Sequence, residues 1–303
     1  MQTSNPIRVY FHGDTDGCCS AAIIADWLRL GGQFFELYPL DADFVGDFVG
    51  DFFLDLANVK TANVHPETVV IDHHPQEKLP CKHFNPRLQG KSWPASYECY
   101  LHYGRDELCW IAALGCVGDS QPQKGLEECV KKRFGKIDLE KFSFMVEAFR
   151  SVNGTNSMDG IVMKLLEYMD APGGFCSDAK ITKPYEEAEK EIMRILKEGA
   201  KTEGVLVLVK FKSKYSIKSQ LANMLKRRYP EKVVVIAHET DAGYKLSLRQ
   251  EKEFVDFSTL MPRLIQGLDA SGGGHPKASG AKVSKKDFNE FVRRLKDAIK
   301  ESG

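Results

Sequence analysis

Short apolar runs that end at acidic residues recur near the start of the sequence. The run IRVYFHG leads into Asp14 and Asp16, FFLD ends at Asp55, and VVID ends at Asp72. After the first run, DGCCSAAIIADWLRLGG places small and apolar residues at helical spacing and stops at two glycines. Strands that alternate with helices predict a parallel α/β sheet, in which ligands gather at the carboxyl ends of the strands.

The rest of the chain predicts a helical region followed by a second α/β domain. Residues 94–170 have mainly helical patterns, and TKPYEEAEKEIMRILKEGA has the start and stop signals of a charged helix. Four later segments, VLVLVKF, SIKSQLANMLKRRY, VVVIAHE and YKLSLRQ, predict strands around one helix. We therefore predict an N-terminal parallel-sheet domain over 1–180, a linker helix over 181–200 and a smaller C-terminal α/β domain over 201–303.

Composition argues against two classes of protein. Charged residues interrupt every hydrophobic stretch, so no apolar run approaches the length of a membrane span. The segment MQTSNPIRVY lacks a basic region followed by an apolar run, so we expect no secretory signal and a cytoplasmic protein. The eight cysteines include no C-x-x-C pair, which predicts reduced thiols, many of them buried as small apolar residues.

The net charge of zero hides an asymmetry along the chain. Residues 36–77 carry nine acids and one base, whereas residues 204–230 carry seven bases and no acid. The first region is therefore suited to cations and the second to anions. A solvated basic helix face remains the simpler explanation of the basic run taken alone.

His12, Asp14 and Asp16 form an H-x-D-x-D pattern at the predicted turn from strand to helix. Alternate side chains of an extended chain point to one side, so all three can face one crevice. Carboxylates with imidazole suit Mn²⁺, Mg²⁺ or Fe²⁺ better than a thiolate-preferring metal. The competing interpretation is that the two aspartates only cap the helix.

Asp72, His73 and His74 strengthen the metal interpretation. They follow an apolar strand in the same predicted sheet, and adjacent histidines point in different directions. One imidazole can then bind a metal while the other faces substrate. Asp55, at the end of FFLD, and Asp119, in GCVGDS, are the remaining candidate ligands.

Two separated motifs resemble one known family. FHGDTDGCCSAA together with IDHHP resembles the DHH phosphoesterase superfamily, which includes RecJ-type exonucleases, nanoRNases, cyclic-dinucleotide phosphodiesterases and family II pyrophosphatases. GGGHPKASGA resembles the glycine-rich signature of the DHHA1 domain that accompanies many of them, which makes a pyrophosphatase less fitting. KLSLRQ resembles the strand that carries a phosphate-reading arginine.

The resemblance implies a site for two metal ions, usually Mn²⁺, with Mg²⁺ as the alternative. It assigns His12, Asp14 and Asp55 to one ion. It assigns Asp16, Asp55, His73 and Asp119 to the other, so that Asp55 bridges. Asp72 and His74 are implied to support the ligands or to contact the scissile phosphate, and a water or hydroxide between the ions is implied to be the nucleophile. Asp51 is a weaker alternative to Asp55.

A second group of residues is predicted to bind substrate. An arginine at the end of an alternating strand suits a bidentate phosphate contact, and a glycine run exposes backbone N–H groups to an anion. The loop HFNPRLQGKSW adds basic residues that either contact nucleotide or pack, with packing favoured for Trp93. The predicted substrate-binding residues are Arg249, Gly272, Gly273, Gly274, His275, Lys277, Arg87 and Lys91.

We therefore expect a Mn²⁺-dependent phosphodiesterase that acts as an exonuclease on single-stranded DNA or RNA. The H-x-D-x-D-G form is similar to that of archaeal RecJ-like proteins, which favours 3′-to-5′ polarity. One alternative is a nanoRNase or a 3′-phosphoadenosine 5′-phosphate phosphatase, and another is a non-catalytic nucleic-acid-binding scaffold. The resemblance leaves open a homo-oligomer and a replication or repair partner, and it implies no membrane partner.

Overall fold

Five parallel strands form the sheet of the N-terminal unit in this computed structural model, which describes residues 5–41, 44, 46 and 48–302. The spatial order is β2-β1-β3-β4-β5. The strands are β1 (Ile7–His12), β2 (Phe35–Leu40), β3 (Phe52–Leu54), β4 (Val69–Ile71) and β5 (Lys82–Phe84). Because all neighbouring pairs are parallel, the carboxyl ends of the central strands β1, β3 and β4 lie along one edge of the sheet.

Helices cover this sheet, and the first of them is the most deeply buried. They are α1 (Thr15–Leu30), α2 (Ala95–Tyr103), α3 (Cys109–Gly118), α4 (Lys124–Phe134), α5 (Leu139–Asn153), α6 (Asp159–Glu167) and α7 (Pro172–Phe175). Small residues such as Cys18, Cys19, Ala21 and Ala22 fill the first turns of α1, and all are fully buried in the core. Their small side chains allow α2, α3 and α6 to approach α1 closely.

The chain divides into two compact units, residues 1–185 and 186–303. The division falls within α8 (Ala179–Glu198). This helix begins earlier than the proline suggested, so that Pro184 lies inside it rather than at its first position. The Asp178 side chain accepts a hydrogen bond from the Lys180 N–H at 2.7 Å, which helps to start the helix before the proline.

Six strands form the sheet of the C-terminal unit in the order β10-β11-β9-β8-β7-β6. Only β7 and β8 pair in parallel within this described sheet, and the other neighbours are antiparallel. The strands are β6 (Lys201–Glu203), β7 (Leu206–Lys212), β8 (Val233–Thr240), β9 (Gly243–Gln250), β10 (Ala270–His275) and β11 (Ala278–Val283). The helices are α9 (Lys218–Arg228), α10 (Phe257–Ile265) and α11 (Phe288–Ser302).

The two faces of this sheet carry different side chains. Leu246 and Leu248 of β9 belong to the apolar core that includes α10 and α11. Arg249 alternates with them, so it lies on the opposite face, and its hydrogen bond to Asn223 places α9 there. We call this side the α9 face. The prediction of an α/β fold with an N-terminal parallel sheet and a smaller C-terminal α/β domain is confirmed.

Two expectations from composition also have structural counterparts. All eight cysteines are free, and five of them, Cys18, Cys19, Cys99, Cys109 and Cys116, are buried. Among the helices of the described residues, none is both long and apolar enough to cross a membrane.

Candidate metal centre and phosphate-binding surface

The carboxyl ends of β1 and β3 bring His12, Asp14 and Asp55 together. His12 is the last residue of β1, and its Nδ1 lies 2.9 Å from Oδ2 of Asp14 and 3.4 Å from Oδ2 of Asp55. One ligand atom from each of the three lies within 4.8 Å of the others. The three residues therefore form the first of two candidate metal-binding groups.

Asp14 combines the two roles that its sequence position suggested. Its Oδ1 accepts the Gly17 N–H at 3.0 Å and caps α1, while Oδ2 faces His12. Gly17 is needed for this tight turn, because a Cβ there would lie 2.0 Å from the His12 carbonyl oxygen. The capping interpretation is correct for one oxygen of Asp14 and leaves the other oxygen for a ligand.

Asp16, His73 and Asp119 form the second candidate group. His73 Nε2 lies 3.0 Å from Oδ2 of Asp119 and 3.2 Å from Oδ1 of Asp55. Ligand atoms of Asp16, His73 and Asp119 lie within 4.8 Å of one another. Since the two oxygens of Asp55 approach His12 and His73 separately, this carboxylate lies between the two groups.

Asp16 also connects the centre to α2, a helix that is far from it in sequence. Its oxygens accept the N–H groups of Ala95 at 2.8 Å and Ser96 at 3.1 Å. These are the first residues of α2, where Pro94 occupies the capping position and supplies no side-chain hydrogen bond. Gly115 leaves the room that this arrangement needs, because a Cβ there would lie 2.8 Å from Oδ1 of Asp16.

Asp55 has two features that fit a metal ligand. Its φ of 58° is in the left-handed region, which non-glycine residues rarely adopt outside functional or strained sites. Its Oδ1 is buried, and among the described residues no contact to it has hydrogen-bond geometry, although His73 Nε2 lies 3.2 Å away. The alternative ligand Asp51 precedes β3 and accepts the Arg8 N–H at 2.8 Å, so it lies at the other end of the strand.

Electrostatics show that this cluster has an excess of negative charge. Burial raises the pKa of Asp16 and of Asp55, and neighbouring carboxylates raise both further. Burial by itself would lower the pKa of His73, but Asp119 and Asp55 raise it to about 12. The donor set of carboxylates and imidazoles therefore fits hard divalent cations such as Mn²⁺ and Mg²⁺.

Asp72 and His74 form a pair beside the ligand groups. Asp72 is fully buried, and its Oδ1 lies 2.7 Å from His74 Nδ1 while its Oδ2 accepts the His74 N–H at 3.1 Å. This pairing raises the pKa of His74 against the effect of its burial. His74 Nδ1 is also 3.9 Å from Oδ1 of Asp55, so the imidazole borders the centre with its Nε2 left for another partner.

On the α9 face of the C-terminal sheet, Arg249 has only uncharged partners in the described part of the chain. Its Nε donates to Oδ1 of Asn223 at 3.2 Å, and an Nη donates to the carbonyl oxygens of Leu248 and Ser279. Burial lowers the pKa of Arg249, with no carboxylate to offset it. A half-buried cation without a counter-charge fits an anion-binding site.

The glycine run lies in a strand rather than in a loop. Gly272, Gly273 and Gly274 belong to β10, which pairs with β11 and is the edge strand of its sheet. Alternate N–H groups of an edge strand point away from the sheet, so part of the predicted anion-binding potential remains. His275, the last residue of β10, and Lys277, in the turn that follows, are both exposed.

The glycine-rich strand and the arginine strand both fall within a known domain family. The DHHA1 domain family matches residues 202–301. No curated protein matches the chain by sequence. RecJ from Thermus thermophilus, solved in complex with Mn²⁺, superposes with a TM-score of 0.71 over 98% of this chain at 15% identity. Residues 202–301 therefore match the DHHA1 family, and the chain as a whole shares its fold with RecJ.

Two further comparisons show the same fold. The same RecJ in complex with Mg²⁺ gives a TM-score of 0.61 at 17% identity, covering 98% of this chain and 50% of that one. The pGpG-specific phosphodiesterase PggH from Vibrio cholerae gives a TM-score of 0.61 at 16% identity, over 98% of this chain and 100% of that one. This chain thus spans about half of the Thermus RecJ, 52% in the Mn²⁺ complex.

Arg87 and Lys91, predicted to bind substrate, have local partners in the N-terminal unit. Arg87 Nε donates to the His73 carbonyl oxygen at 2.6 Å, so this side chain supports the loop that carries the histidines. Lys91 lies over the Trp93 ring, with its Nζ 5.0 Å from the ring centroid. Asn85, which the sequence placed in the same ambiguous loop, donates to the His74 carbonyl oxygen at 2.9 Å.

One carboxylate that supports the candidate metal centre has no local signal in the sequence. Oε1 of Glu147, in α5, accepts both the N–H and the hydroxyl of Thr15 at 3.1 Å. Thr15 separates Asp14 from Asp16, so Glu147 fixes the turn between two candidate ligands. The contact spans 132 residues of sequence, and a glutamate in a charged helix carries no local sign of it.

Proposed function

We propose that this protein is a Mn²⁺- or Mg²⁺-dependent phosphoesterase that hydrolyses phosphodiester bonds in single-stranded nucleic acid. The observation that carries the proposal is Asp55, whose buried carboxylate lies between the His12–Asp14 group and the His73–Asp119 group. A shared carboxylate suits two divalent ions held a few ångströms apart. Such a pair activates water and stabilises charge on both the attacking and the leaving oxygen.

Some residues of the centre would bind the ions, and others orient those ligands. His12, Asp14 and Asp55 would hold one ion, and Asp16, Asp55, His73 and Asp119 would hold the other. Main-chain N–H groups of α2 orient the Asp16 carboxylate, and Gly17 N–H orients that of Asp14. These fixed orientations reduce the rearrangement that binding requires.

Asp72 and His74 supply a proton-bearing group at the edge of the centre. Asp72 holds the His74 Nδ1, which leaves Nε2 to contact the scissile phosphate or the leaving oxygen. The side chain of His74 is 37% exposed, whereas that of Asp72 is 0% exposed. The accessible imidazole is therefore the member of the pair that meets substrate, and the buried carboxylate fixes its orientation.

Arg249 is proposed as the phosphate contact of the DHHA1 domain. Its uncharged partners leave the positive charge available to a substrate phosphate. We propose an exonuclease acting on single-stranded DNA or RNA, which the fold shared with RecJ supports. The proposed 3′-to-5′ polarity rests on the H-x-D-x-D-G form of the sequence alone. Activity on very short oligonucleotides or nucleotides is the second candidate, favoured by the match to PggH over 100% of that chain.

One digestion series tests the proposal. The protein with Mn²⁺ is given 20-nucleotide DNA and RNA labelled at either end, dinucleotides, and 3′-phosphoadenosine 5′-phosphate. Progressive shortening from the 3′ end of the 20-mers supports the exonuclease, whereas turnover of only the short substrates supports the second candidate. Failure to hydrolyse any of them with Mn²⁺ or Mg²⁺ would overturn the phosphoesterase proposal in favour of a binding scaffold.

A further inference from the structure

The segment that leads from β5 into α2 is anchored to the candidate metal centre at both of its ends. At one end, Arg87 Nε donates to the His73 carbonyl oxygen at 2.6 Å. At the other end, the Ala95 N–H donates to Oδ2 of Asp16 at 2.8 Å. Residues 88–94 therefore leave the centre and return to it, which places them at its rim.

Trp93 lies close to the second of these anchors. It precedes Ala95 by two residues, so the Cα atoms of the two residues are at most about 7.6 Å apart. The Ala95 N–H itself is bound to Asp16, a candidate metal ligand. An indole at this position can reach the nucleotide next to the scissile phosphate.

The ring of Trp93 is held at one edge but is only half-buried. Its Nε1 donates to Oε2 of Glu98, a residue that is 4% exposed and whose Oε1 lies 3.1 Å from His102 Nε2. The Tyr97 ring is nearly perpendicular to the indole, with 78° between the planes and 5.7 Å between the centroids. These contacts fix the orientation of the indole and leave part of its surface exposed.

Lys91 covers the Trp93 ring with an exposed side chain. Its Nζ is 5.0 Å from the ring centroid. A cation over an exposed ring stabilises less than a nucleobase stacked on an aromatic side chain. A base can therefore displace the lysine from the ring, and the released ammonium group can then pair with a phosphate of the same strand.

The other two tryptophans of the chain show how Trp93 differs. Trp110 is fully buried in the core and donates to the Met169 carbonyl oxygen at 2.8 Å, so it is a packing residue. Trp27 is 45% exposed, but it contacts Phe52, the first residue of β3, at the end of the sheet opposite the metal centre. Of the three, Trp93 alone combines exposed ring surface with a place beside the candidate ligands.

We propose that Trp93 is a base-stacking residue of the candidate active site, where a nucleobase of the substrate strand displaces Lys91 from the indole and Lys91 pairs with a phosphate of that strand. This inference rests on the proposed function, because it assumes that the substrate is a nucleic acid. It assigns a base contact to the N-terminal unit. Because every base has a π face, the contact accepts any base. Glu98 is the positioning residue that holds the ring.

Two labelled 12-nucleotide strands, one of thymidine and one of abasic deoxyribose, test the contact without hydrolysis. Both strands carry the same phosphates, but only the thymidine strand carries bases. Fluorescence anisotropy in EDTA at low salt measures the two affinities. Trp93→Leu should weaken binding of the thymidine strand about tenfold and leave binding of the abasic strand unchanged. An equal loss on both strands, or no loss on the thymidine strand, would overturn the proposal.

Trp93→Phe separates stacking from a purely structural role of the indole. Phenylalanine keeps an aromatic ring but cannot donate to Glu98, so this variant should retain most of the thymidine-strand affinity that Trp93→Leu loses. The melting temperature of each variant shows whether it folds. A folded Trp93→Phe that binds the thymidine strand as weakly as Trp93→Leu would show that the hydrogen bond to Glu98 matters instead of stacking, which contradicts the proposal.

Indole fluorescence gives a second readout, which does not depend on whether Trp93→Leu folds. Stacking of a base on Trp93 should quench the emission of the wild-type protein when the thymidine strand is added, and Trp93→Phe should lose that quenching. The matched control is Trp27→Phe, which removes a more exposed indole at the opposite end of the sheet and should keep the quenching. Quenching that persists in Trp93→Phe, or that disappears in Trp27→Phe, would count against the stacking contact.

The phosphate contact of Lys91 is tested by the salt dependence of binding. Lys91→Gln should lower the slope of log K against log salt by about 0.7 for the thymidine strand, the value for one lost phosphate contact. Lys82→Gln also removes one charge from the N-terminal unit, but Lys82 begins β5 at the end of the sheet away from the metal centre, so its slope should match that of the wild-type protein. Equal slopes in the two variants would remove Lys91 from the proposal.

The base-stacking contact and the phosphoesterase fail in different measurements. If the protein hydrolyses oligonucleotides but Trp93→Leu binds both strands as the wild-type protein does, the phosphoesterase stands and the stacking contact is wrong. If Trp93→Leu shows the base-dependent loss but the wild-type protein hydrolyses nothing with Mn²⁺ or Mg²⁺, the stacking contact stands and the phosphoesterase is wrong.

Discussion

The two candidate sites of this chain carry opposite uncompensated charges. At the carboxyl ends of β1, β3 and β4, several carboxylates lie close together. Burial and their mutual repulsion raise the pKa of Asp16 and of Asp55. On the α9 face of the second sheet, Arg249 is held by neutral oxygens alone, and burial lowers its pKa. We propose that cations complete the first site and anions the second.

The way each site is built also differs. The acidic site is assembled from strand ends, where a parallel sheet brings together side chains that are distant in sequence. The basic site is assembled across antiparallel strands, where the register places residues opposite one another. In both sites, an unsatisfied charge in a well-packed surrounding is the feature that distinguishes a ligand site from an ordinary polar surface.

The largest effect should follow from removing the charge that the two metal groups share. Asp55→Asn keeps the size of the side chain but loses the shared anion, so we expect kcat/KM with Mn²⁺ to fall at least about 100-fold. Steady-state hydrolysis of a labelled oligonucleotide measures this. The matched control is Asp51→Asn, at the other end of β3, which should retain most of the activity. Equal losses in both variants would contradict the assignment of Asp55.

The next largest effect should follow from removing the positive charge of Arg249. Arg249→Gln removes the proposed charge-assisted phosphate contact, worth about 1.5–3 kcal/mol, so substrate affinity should fall about 10- to 100-fold with a smaller change in kcat. Arg249→Lys keeps the positive charge but lacks the planar guanidinium group. Its substrate affinity should lie between those of the wild-type protein and Arg249→Gln. The measurement is KM for a short oligonucleotide. A fall confined to kcat would place Arg249 outside substrate binding.

Asp26 lies in the same unit as the acidic site, but its buried carboxylate is paired with arginines, so it serves as a comparison. Asp26 is 1% exposed and accepts hydrogen bonds from Arg105 and Arg29, both at 2.7 Å. Burial opposes ionisation, but the two arginines lower the pKa of Asp26 below its usual value. Asp26→Asn should reduce the free energy of unfolding by about 2 kcal/mol at neutral pH.

The stabilising effect of Asp26 and its arginine partners should depend on pH in one definite direction. Because the folded-state pKa of Asp26 is lowered, its stabilising effect is complete above the unfolded-state pKa, near 4, and is lost as pH falls through the folded-state value. The difference between wild type and Asp26→Asn should therefore shrink below about pH 4. Chemical denaturation at several pH values measures it. A difference that stays constant into acid would show that the ion pair contributes little.

The smallest change is expected from the two cysteines beside the acidic site. Cys18 and Cys19 are fully buried in α1, and burial raises the pKa of both thiols, which disfavours the thiolate that binds metals. Cys18→Ala and Cys19→Ala should each keep Mn²⁺-dependent activity within about threefold, while losing about 1 kcal/mol of stability. Complete loss of activity in a folded variant would reopen a thiolate site.

Much of the acidic site could be predicted because its residues follow apolar runs directly. His12, Asp55 and His73 each stand at the end of a strand whose hydrophobic pattern is plain, and the parallel topology then brings the ends together. The supports were not predictable in this way. Asp16 binds the start of α2, and Glu147 binds Thr15, across 79 to 132 residues that no local pattern links.

The C-terminal sheet shows a different limit of sequence reasoning. Arg249 could be assigned from its place on an alternating strand, but the pattern of Gly272–Gly274 is equally typical of a flexible loop. Only the register of β10 against β11 separates the glycines that packing requires from those that face open space. The strand β5 was missed because it has three residues and no apolar run.

The hydrogen bonds between Asp16 and the first residues of α2 have a consequence for folding. They join positions 79 and 80 residues apart, so the start of α2 gains its acceptor only after a long loop has closed onto α1. Helix docking and the fixing of this carboxylate are then a single cooperative event. A partly folded chain would hold no preformed cation site, and the competence to bind metal would arrive together with the native state.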